Sequence, residues 1–502
     1  MRLKKIFKIA SLYSAFRFDN NYFFNMVPRL KHNTKIVATV GPASHSYESL
    51  LALAQSGVHI FRLNFSHGTH DGHRSVIESI QKLNREYDFH LGILADLQGP
   101  KLRIGKMENE EMNIKPGDVL TFTNEKCVGN LEKIYMSYEQ FAEDVEPGEK
   151  VLVDDGKIVL EVLETNKKDN VKLKVLFGSV ISSNKGVNLP DTKVSLPCLT
   201  EKDLADLDFI LTQPVNWIAL SFVRSADDII DLRKRVEARH HEAKILAKIE
   251  KPEAVRRIKK IIKASNAIMI ARGDLAVELP MEKLPGIQKE IINLCMQWAR
   301  PVIVATQMME SMIHNPSPTR AEITDVANAV LDGADALMLS AETAVGDHPP
   351  KVIEAMNKII IEAEKTFSVK GRRPTPNSKS RTFLSDVICF NAAKTAVDVG
   401  AQAILGLTIS GYTAFKISSY RPDCKIYIFS ERSLMLGTMN LLWGVQCFEY
   451  KKYTTTDETF EDITNILKTQ NLLKHGDLIV QTASMPIDRR LRTNMLKVCH
   501  VD

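Results

Sequence analysis

Short apolar runs recur along the chain, and most precede a stretch whose apolar residues recur at helical spacing, such as Tyr47–Ser56 and Leu284–Trp298. The runs are Lys35–Val40, His59–Leu63, Leu91–Ala95, Trp217–Ser221, Ala243–Ile249, Ala267–Ala271, Pro301–Ala305 and Ala336–Ser340. Eight buried strands alternating with helices predict an α/β protein built on a parallel (β/α)₈ (TIM) barrel, with a doubly wound sheet as the rival. The even strand number and the polar residues at the strand ends favour the barrel.

The alternation stops after the third run. From Gly105 to Pro197 the sequence is β-branched or alternating and contains no helical unit. The predicted strands here are Asp118–Thr123, Lys150–Val153, Lys157–Glu164 and Val171–Leu176. We therefore predict an inserted all-β domain over residues 105–197, within a barrel formed by residues 30–104 and 198–365. A domain inserted after a barrel strand lies at the catalytic face, where it can act as a lid.

Beyond the predicted helix Lys351–Lys365, the segment Thr366–Arg381 has two prolines, a glycine and many basic and hydroxyl residues, which is typical of a linker. Three further apolar runs then alternate with helical segments. They are Ala403–Leu407, Lys425–Phe429 and Leu478–Thr482. Residues 366–502 are therefore predicted to form a smaller C-terminal α/β domain.

The first 25 residues are basic, aromatic-rich and almost free of acidic residues. A transit peptide fits that composition, but we expect residues 1–29 to be a disordered extension, or sequence upstream of a true start at Met26.

Over all 502 residues, 66 Lys and Arg against 61 Asp and Glu give a net charge of +5, which is too dilute for a nucleic-acid-binding surface. The sequence contains no run of about 18 apolar residues, so no membrane span is predicted. Seven scattered cysteines without a C-x-x-C motif indicate a reducing, cytoplasmic location and no zinc site.

The candidate chemistry begins at the second apolar run. Side chains alternate between the faces of a strand, so Arg62, Asn64 and Ser66 are predicted to share one face. Arginine suits bidentate binding of phosphate or carboxylate, whereas barrel interiors are usually filled by aliphatic residues. A polar layer inside the barrel is the structural alternative.

Later strand ends carry complementary groups. Lys248 and Glu250 share a face of their strand, and a buried pair without function would be costly, although a plain ion pair is the alternative. Glu250 and Asp274 are hard oxygen ligands suited to Mg²⁺, and Gly273 precedes a segment whose free N–H groups can bind an anion. Thr306 follows the next strand, and Ser340 and Glu342 end the eighth. The set implies a phosphorylated acid bound with Mg²⁺, beside a lysine that neutralises a transferring phosphoryl group.

Several segments from about Thr34 onward follow the pattern of a known family. They are Lys35–Pro42, Arg62–Gly68, Lys185–Pro190, Ala271–Leu275, Ala305–Met312 and Pro318–Glu322. On these segments the chain resembles pyruvate kinase. The resemblance implies phosphoryl transfer from phosphoenolpyruvate to ADP, giving pyruvate and ATP in the final step of glycolysis. It also implies a homotetramer with allosteric subunit contacts.

The resemblance implies roles for individual residues. Arg62 and Lys248 would contact the transferring phosphoryl group, and Glu250 and Asp274 would hold Mg²⁺. The substrate carboxylate would be bound by the N–H groups of Gly273 and Asp274 and by the Thr306 hydroxyl. Thr306 would also lie near the route by which a proton reaches the enolate carbon. The proton donor would be a relayed water, because a threonine hydroxyl is too weak an acid to act alone. The residues expected at the nucleotide phosphates, with a second Mg²⁺ on the nucleotide, are His67, Arg103 and Lys185.

One segment departs from the common family pattern. Most members bind K⁺ through groups that correspond to Asn64, Ser66, Asp96 and the Leu97 carbonyl. The position of Lys101 is usually Glu in those members, and this chain resembles the K⁺-independent subgroup. A lysine ammonium can take the electrostatic role of the cation, so we expect activity without K⁺. An exposed surface lysine is the alternative.

A C-terminal loop is a candidate effector site. Its hydroxyl and N–H groups belong to Thr408, Ser410, Gly411 and Thr413. They are suited to cradle a phosphate, although an ordinary strand-to-helix turn is an equal alternative. The later loop Met485–Asn494 lacks the glycine-rich pattern of members activated by fructose bisphosphate, but its three arginines leave another sugar phosphate open.

Two other classes of protein are alternatives to a kinase. Barrel lyases and aldolases that bind pyruvate-like acids on Mg²⁺ would explain Glu250 and Asp274, but not the inserted domain or Lys185. A catalytically inactive sensor on the same fold is disfavoured because the charged set at the strand ends is intact. ATP formation from phosphoenolpyruvate separates both classes from the kinase.

Overall fold

The computed structural model describes residues 32–366, 374–489 and 491–502. The expected N-terminal extension over residues 1–29 lies outside the described residues, as do residues 367–373 of the predicted linker and Arg490. Across the parts of the chain that are described, no helix combines the length and apolar character needed to cross a bilayer.

Eight parallel strands close into a barrel, which confirms the predicted fold and excludes the doubly wound sheet. In chain order the barrel strands are Lys35–Val40, Ile60–Asn64, Gly92–Asp96, Trp217–Leu220, Lys244–Ile249, Ala267–Ala271, Val302–Ala305 and Ala336–Leu339. Each strand pairs with its neighbours in chain order, and the first closes on the eighth with Lys35 opposite Ala336. The carboxyl ends of all eight strands therefore meet at one rim.

Helices surround the barrel and bury their apolar faces against it. They are Tyr47–Ser56, His70–Tyr87, Glu201–Ile210, Ala226–Ala238, Pro252–Arg256, Ile258–Ala264, Arg272–Glu278, Leu284–Gln297, Arg320–Asp332, Ala341–Ala344 and Pro349–Thr366, with 3₁₀ turns at Met281–Lys283 and Glu310–Ile313. Local sequence sets several helix starts. Thr319, for example, caps the helix Arg320–Asp332 and exchanges bonds with Glu322, satisfying N–H groups that the helix leaves free.

The insertion after the third barrel strand is a β domain with its own apolar core. Its strands are Glu111–Asn113, Val119–Thr123, Ile134–Tyr135, Lys150–Val153, Ile158–Thr165, Asn170–Phe177, Val180–Ser182 and Val187–Asn188. The expectation of no helical unit between Gly105 and Pro197 was wrong in one place, because Phe141–Asp144 forms a single helical turn. Four residues are too few to show helical periodicity in the sequence.

The C-terminal domain is a five-stranded sheet with helices. From one edge to the other its strands are Val445–Glu449, Lys425–Ser430, Ala403–Leu407, Leu478–Ala483 and Met495–His500, the last antiparallel. The helices are Phe383–Asp398, Tyr412–Ser419, Ser433–Met439 and Thr456–Thr469, with a 3₁₀ turn at Ile487–Arg489. The three central strands are those that the apolar runs predicted.

This domain covers the amino ends of the barrel strands. Lys35, at the start of the first strand, donates from Nζ to the Val445 carbonyl at 2.6 Å. Asn216, which precedes the fourth strand, donates from Nδ2 to the Leu434 carbonyl at 2.7 Å. The C-terminal domain thus closes one end of the barrel, and the rim at the other end faces the inserted domain.

Candidate functional site

The second barrel strand alternates as its sequence predicts. Phe61 and Leu63 are buried among apolar side chains, while Arg62 and Asn64 are partly exposed. Ser66 differs from the expectation, because the strand ends at Asn64 and Ser66 lies in the following turn, where its N–H donates to Asn64 Oδ1 at 3.2 Å. Only two of the three polar residues therefore share the strand face.

A buried carboxylate joins the two candidate phosphate-binding cations. Asp96 ends the third strand with its side chain 1% exposed. Arg62 Nε donates to Asp96 Oδ2 at 2.7 Å, and Lys248 Nζ lies 3.4 Å from Asp96 Oδ1. Thr39 further orients Arg62, accepting from its guanidinium at 3.0 Å. The second, third and fifth strands thus place two cations around one anion.

Lys248 also pairs with Glu250, the first residue after its strand. Lys248 Nζ lies 2.9 Å from Glu250 Oε1, and the two side chains are 13% and 2% exposed. The other oxygen of Glu250 accepts the Phe222 N–H at 2.7 Å. Phe222 adopts a left-handed backbone conformation, with φ of 55°, that turns this N–H toward the carboxylate. The predicted pair of Lys248 and Glu250 exists, and it is part of a larger network.

Ser221 is a member of that network that the sequence interpretation missed. Lys248 Nζ donates to Ser221 Oγ at 2.7 Å, and this hydroxyl donates to the Leu97 carbonyl at 2.7 Å. Its position at the end of the fourth apolar run was the available signal, since polar residues at barrel strand ends face the site. Ser221 links the lysine to a carbonyl that was expected to bind a monovalent cation.

The charges in this network set their own protonation. Burial alone would lower the pKa of Lys248, but the carboxylates of Asp96 and Glu250 raise it above the ordinary lysine value. Burial likewise opposes ionisation of Asp96, yet Lys248 and Arg62 hold its pKa below the usual range. Lys248 therefore remains cationic at neutral pH.

Asp274 is the least compensated acid at the rim. Burial and the nearby Glu250 charge raise the pKa of Asp274 to about 6, against the opposing charges of Lys248 and Lys101. It lies in the first turn of the helix Arg272–Glu278, which begins directly after the sixth strand. The buried Glu250 and the solvent-accessible Asp274 are close enough for one charge to raise the pKa of the other, which makes them a suitable place for a divalent cation.

Thr306 stands opposite that helix. Its hydroxyl accepts the Gly273 N–H at 2.7 Å, so the N–H group expected to bind an anion already has a partner on the neighbouring strand end. Thr306 has φ of 70°, an uncommon conformation for a β-branched residue. Arg272 holds this turn by donating to the Thr306 carbonyl at 2.9 Å while pairing with both oxygens of Asp325.

The eighth strand contributes a structural group. Its strand ends at Leu339, and Glu342 follows in the short helix Ala341–Ala344, 3% exposed. The Glu342 carboxylate accepts the N–H groups of Ser340 at 2.7 Å and Met309 at 3.2 Å. Ser340 and Glu342 therefore brace the loops of the seventh and eighth strands.

The residues expected at the nucleotide lie apart from this network. Lys185 pairs with Asp154 at 3.0 Å within the inserted domain, and Arg103, just before that domain, donates to the Asn184 carbonyl at 2.6 Å. His67 is exposed, and its carbonyl contacts the His73 ring at 3.0 Å. Among the described residues, no hydrogen bond or ion pair joins these three side chains to Lys248.

A cavity lies between the inserted domain and the rim. Its lining includes Lys101, Asp155, Asn188, Lys251 and Asp274. Lys101 is exposed at the end of the barrel segment that leads into the insertion. Both domains thus contribute charged groups to one cleft.

The C-terminal loop borders a second cavity. The lining includes Thr408, Ser410, Thr413, Arg492 and Thr493. The Gly411 N–H donates to Thr408 Oγ1 at 3.0 Å, and the hydroxyls of Thr413 and Thr493 lie 2.6 Å apart. Only Ser410 among the predicted loop residues is exposed.

Known proteins are similar to this chain in sequence and fold. Residues 31–353 match the barrel domain of pyruvate kinase, and residues 386–499 match its alpha/beta domain. A pyruvate kinase of Geobacillus stearothermophilus is 40% identical over 473 residues, covering 93% of this chain and 80% of that protein. Pyruvate kinase 2 of a Synechocystis strain is 40% identical over 475 residues, with 93% and 79% covered. The crystal structure of a pyruvate kinase from Cryptosporidium parvum superimposes with a TM-score of 0.88 at 33% identity, covering 94% of this chain and 97% of that one.

A barrel whose rim carries lysine, arginine and paired carboxylates beneath a β insertion defines a phosphotransferase class. Within it, the chain belongs to the pyruvate kinase family. It catalyses phosphoryl transfer from phosphoenolpyruvate to ADP, giving pyruvate and ATP in glycolysis.

Proposed function

We propose that the network around Lys248 is the phosphoryl-transfer site of this pyruvate kinase. The observation that carries the proposal is the buried contact of one lysine with Asp96, Glu250 and Ser221 at the barrel rim. Three contacts fix the ammonium before substrate arrives, so it stabilises charge developing on the phosphoryl group without reorganising. Arg62, held by Asp96, presents a fork suited to the same group.

The substrate carboxylate binds where the helix Arg272–Glu278 begins. In this proposal it takes over the N–H group that Gly273 donates to Thr306, joined by the N–H of Asp274. The displaced Thr306 hydroxyl then orients the water that delivers a proton to the enolate carbon, because a threonine hydroxyl is too weak an acid to act alone.

Enzymes of this family generally use Mg²⁺, and the donor set fits it. Glu250 and Asp274 are adjacent hard oxygen ligands, and the raised pKa of Asp274 marks negative charge that the protein leaves partly uncompensated. Glu250 and Asp274 would hold the ion, with the substrate oxygens and water as further ligands. When bound, Mg²⁺ neutralises charge on the substrate oxygens. A second Mg²⁺ accompanies the nucleotide.

ADP binds between the inserted domain and the rim. Lys185 comes from the insertion, Arg103 from the barrel segment that leads into it, and His67 from the loop after the second barrel strand. The cavity between the two domains supports this assignment, because Gly186, next to Lys185, lines it together with the cations Lys101, Arg224 and Lys251. Lid closure would bring the Lys185 ammonium, now paired with Asp154, onto the nucleotide phosphates.

The reaction proceeds without K⁺ in this proposal. Three of the four oxygens expected to bind the ion have protein partners, since Asp96 contacts Arg62 and Lys248, the Leu97 carbonyl accepts from Ser221, and Asn64 Oδ1 accepts the Ser66 N–H. Lys101 lies at the same rim, because it lines the cavity with Asp274 and its charge opposes the rise in the pKa of Asp274. It supplies the positive charge that Glu at this position would leave to an ion.

The proposal also covers an effector site, the oligomeric state and the location of the enzyme. A sugar phosphate binds at the loop containing Thr408, Ser410, Gly411 and Thr413 and shifts phosphoenolpyruvate affinity, supported by the adjoining cavity and Arg492. The enzyme is a cytoplasmic homotetramer, which sedimentation would test.

A kinetic comparison tests the assignment of the substrate site. Arg62→Met should lower kcat/KM for phosphoenolpyruvate by about a hundredfold or more, because a charge-assisted fork to the phosphoryl group is lost. The KM for ADP should change little. An unaltered kcat/KM for phosphoenolpyruvate would place the phosphoryl group elsewhere.

A further inference from the structure

Glu278 is a buried carboxylate at the end of the helix that carries Gly273 and Asp274. Its side chain is 1% exposed, and Lys251 Nζ lies 2.5 Å from its Oε1. Lys251 immediately follows Glu250, so this ion pair joins the fifth strand end to the helix after the sixth. A buried pair of this kind brings little net stability, so the other contacts of the Glu278 carboxylate better explain its role.

The further partner belongs to the inserted domain. Asn188 donates from Nδ2 to Glu278 Oε1 at 2.8 Å. The second oxygen, Oε2, is buried and has no hydrogen-bond partner among the described residues. Glu278 thus accepts a lid amide while keeping one acceptor position open on the same carboxylate.

Asn188 lies three residues after Lys185, in a segment that is held rigidly. The Val187 N–H donates to the Leu102 carbonyl at 2.9 Å, and the Ile104 N–H donates to the Lys185 carbonyl at 3.0 Å. On its other side the strand Val187–Asn188 pairs with Lys150–Val153. A constraint on Asn188 is therefore transmitted to Lys185 and to the neighbouring Arg103.

We propose that Glu278 is a positioning residue for the nucleotide: by binding Asn188 it sets the lid segment 185–188 at a defined distance from Asp274. The open Oε2 lets the Asn188 amide move from one carboxylate oxygen to the other as the lid swings, so the tie survives closure. Lys251 holds the carboxylate in place. This inference rests on the proposed nucleotide role of Lys185.

The first test removes the amide. Asn188→Ala should raise the KM for ADP about 3- to 10-fold while the KM for phosphoenolpyruvate stays within about twofold, because only the lid loses its anchor. Asn188→Asp should raise the KM for ADP further, since it places a carboxylate against Glu278. The matched control is Asn124→Ala. The Asn124 side-chain amide donates hydrogen bonds only within the inserted domain, so the KM for ADP of this variant should be unchanged.

A second variant tests the pairing. With Glu278→Ala as background, Asn188→Ala should add no further rise in the KM for ADP, whereas independent roles would give additive effects. Should Glu278→Ala fail to fold, the order of the Ala and Asp variants at position 188 decides. An unchanged KM for ADP in Asn188→Ala, an equal rise for both substrates, or a smaller effect of Asp than Ala overturns the proposal.

The nucleotide assignment has its own readout. Lys185→Met should raise the KM for ADP more than Asn188→Ala does. If Lys185→Met leaves it unchanged, the nucleotide role of Lys185 fails. If Lys185→Met raises it and Asn188→Ala does not, the assignment stands and the positioning role of Glu278 fails.

Discussion

Lys248, near the end of the fifth barrel strand, and Glu250, the first residue after that strand, form a buried ion pair with 2.9 Å between Nζ and Oε1. Alternation along a strand puts both side chains on the face that points into the barrel rim. Burying such a pair usually brings no net stability, so its chemical use in the reaction is the better explanation for it. The same ammonium contacts Asp96 and Ser221, which leaves it a single well-defined position.

Exchanging Lys101 for glutamate should create a need for K⁺. The wild-type rate should agree within about twofold between potassium chloride and tetramethylammonium chloride at equal ionic strength, because Lys101 supplies the fixed charge. Lys101→Glu should lose about tenfold or more in the organic cation and recover with K⁺. Lys106→Glu, a like change at a nearby exposed lysine, is the control. A wild-type rate that collapses without K⁺ would refute the role given to Lys101.

Removing either candidate Mg²⁺ ligand should weaken metal use. In Glu250→Gln and Asp274→Asn, the Mg²⁺ concentration giving half-maximal rate should rise about tenfold or more, since a neutral amide is a poorer ligand than a carboxylate. Glu282→Gln changes an exposed acid nearby and should leave this concentration unaltered. Mg²⁺ titration of the initial rate measures all three. If Glu250→Gln, Asp274→Asn and wild type need the same Mg²⁺ concentration for half-maximal rate, the assignment of the metal site to these two residues is wrong.

The barrel was predictable because its signal is local and repeated. Strands such as Lys35–Val40 and Ala267–Ala271 were predicted with their observed bounds, and alternation placed Arg62 and Asn64 on one face. Polar residues at strand ends then indicated the rim. The short strand Val187–Asn188 was missed, since two residues carry no periodicity.

Contacts between separate elements were beyond the sequence. The bond from Ser221 to the Leu97 carbonyl and the bond from Asn188 to Glu278 depend on where loops and domains meet. The same holds for the Gly273 N–H, whose partner Thr306 stands on another strand end. A pattern along one element identifies its face, but it does not say which residue of another element comes to face it.

Lys35 should make stability depend on pH. It is fully buried, and burial lowers its pKa to about 7, with Lys425 acting in the same direction and Cys447 and Glu364 against it. Because the unfolded chain keeps this lysine protonated up to about 10.5, wild-type stability should rise as the pH increases from about 7 to about 10.5, and this gain should be gone once the pH has fallen to about 7.

Lys35→Met removes that dependence. The Tm of Lys35→Met relative to wild type should be higher at pH 6 than at pH 9, because the methionine escapes the cost of burying a charge at low pH. Lys358→Met, at an exposed helix position, should show no such trend. Thermal melts at both pH values measure it, and a difference that is constant or grows with pH would contradict the buried state of Lys35.

Arg492 should carry the response to a phosphorylated effector. It lines the cavity beside Ser410, where a guanidinium suits a phosphate. Arg492→Ala should abolish the shift that a sugar phosphate causes in the phosphoenolpyruvate saturation curve, with the rate at saturating substrate retained. Lys497→Ala, an exposed cation on the last strand, should keep the shift. An undiminished shift in Arg492→Ala would locate the effector elsewhere.

The most direct measurement is ATP formation from phosphoenolpyruvate and ADP by wild type and Lys248→Met, with Mg²⁺ present. The methionine keeps the length of the side chain but cannot neutralise the transferring phosphoryl group, so kcat should fall by about a thousandfold or more. Circular dichroism should show an intact fold, because the barrel core does not depend on this ammonium. A folded Lys248→Met enzyme with near-normal kcat would contradict the account.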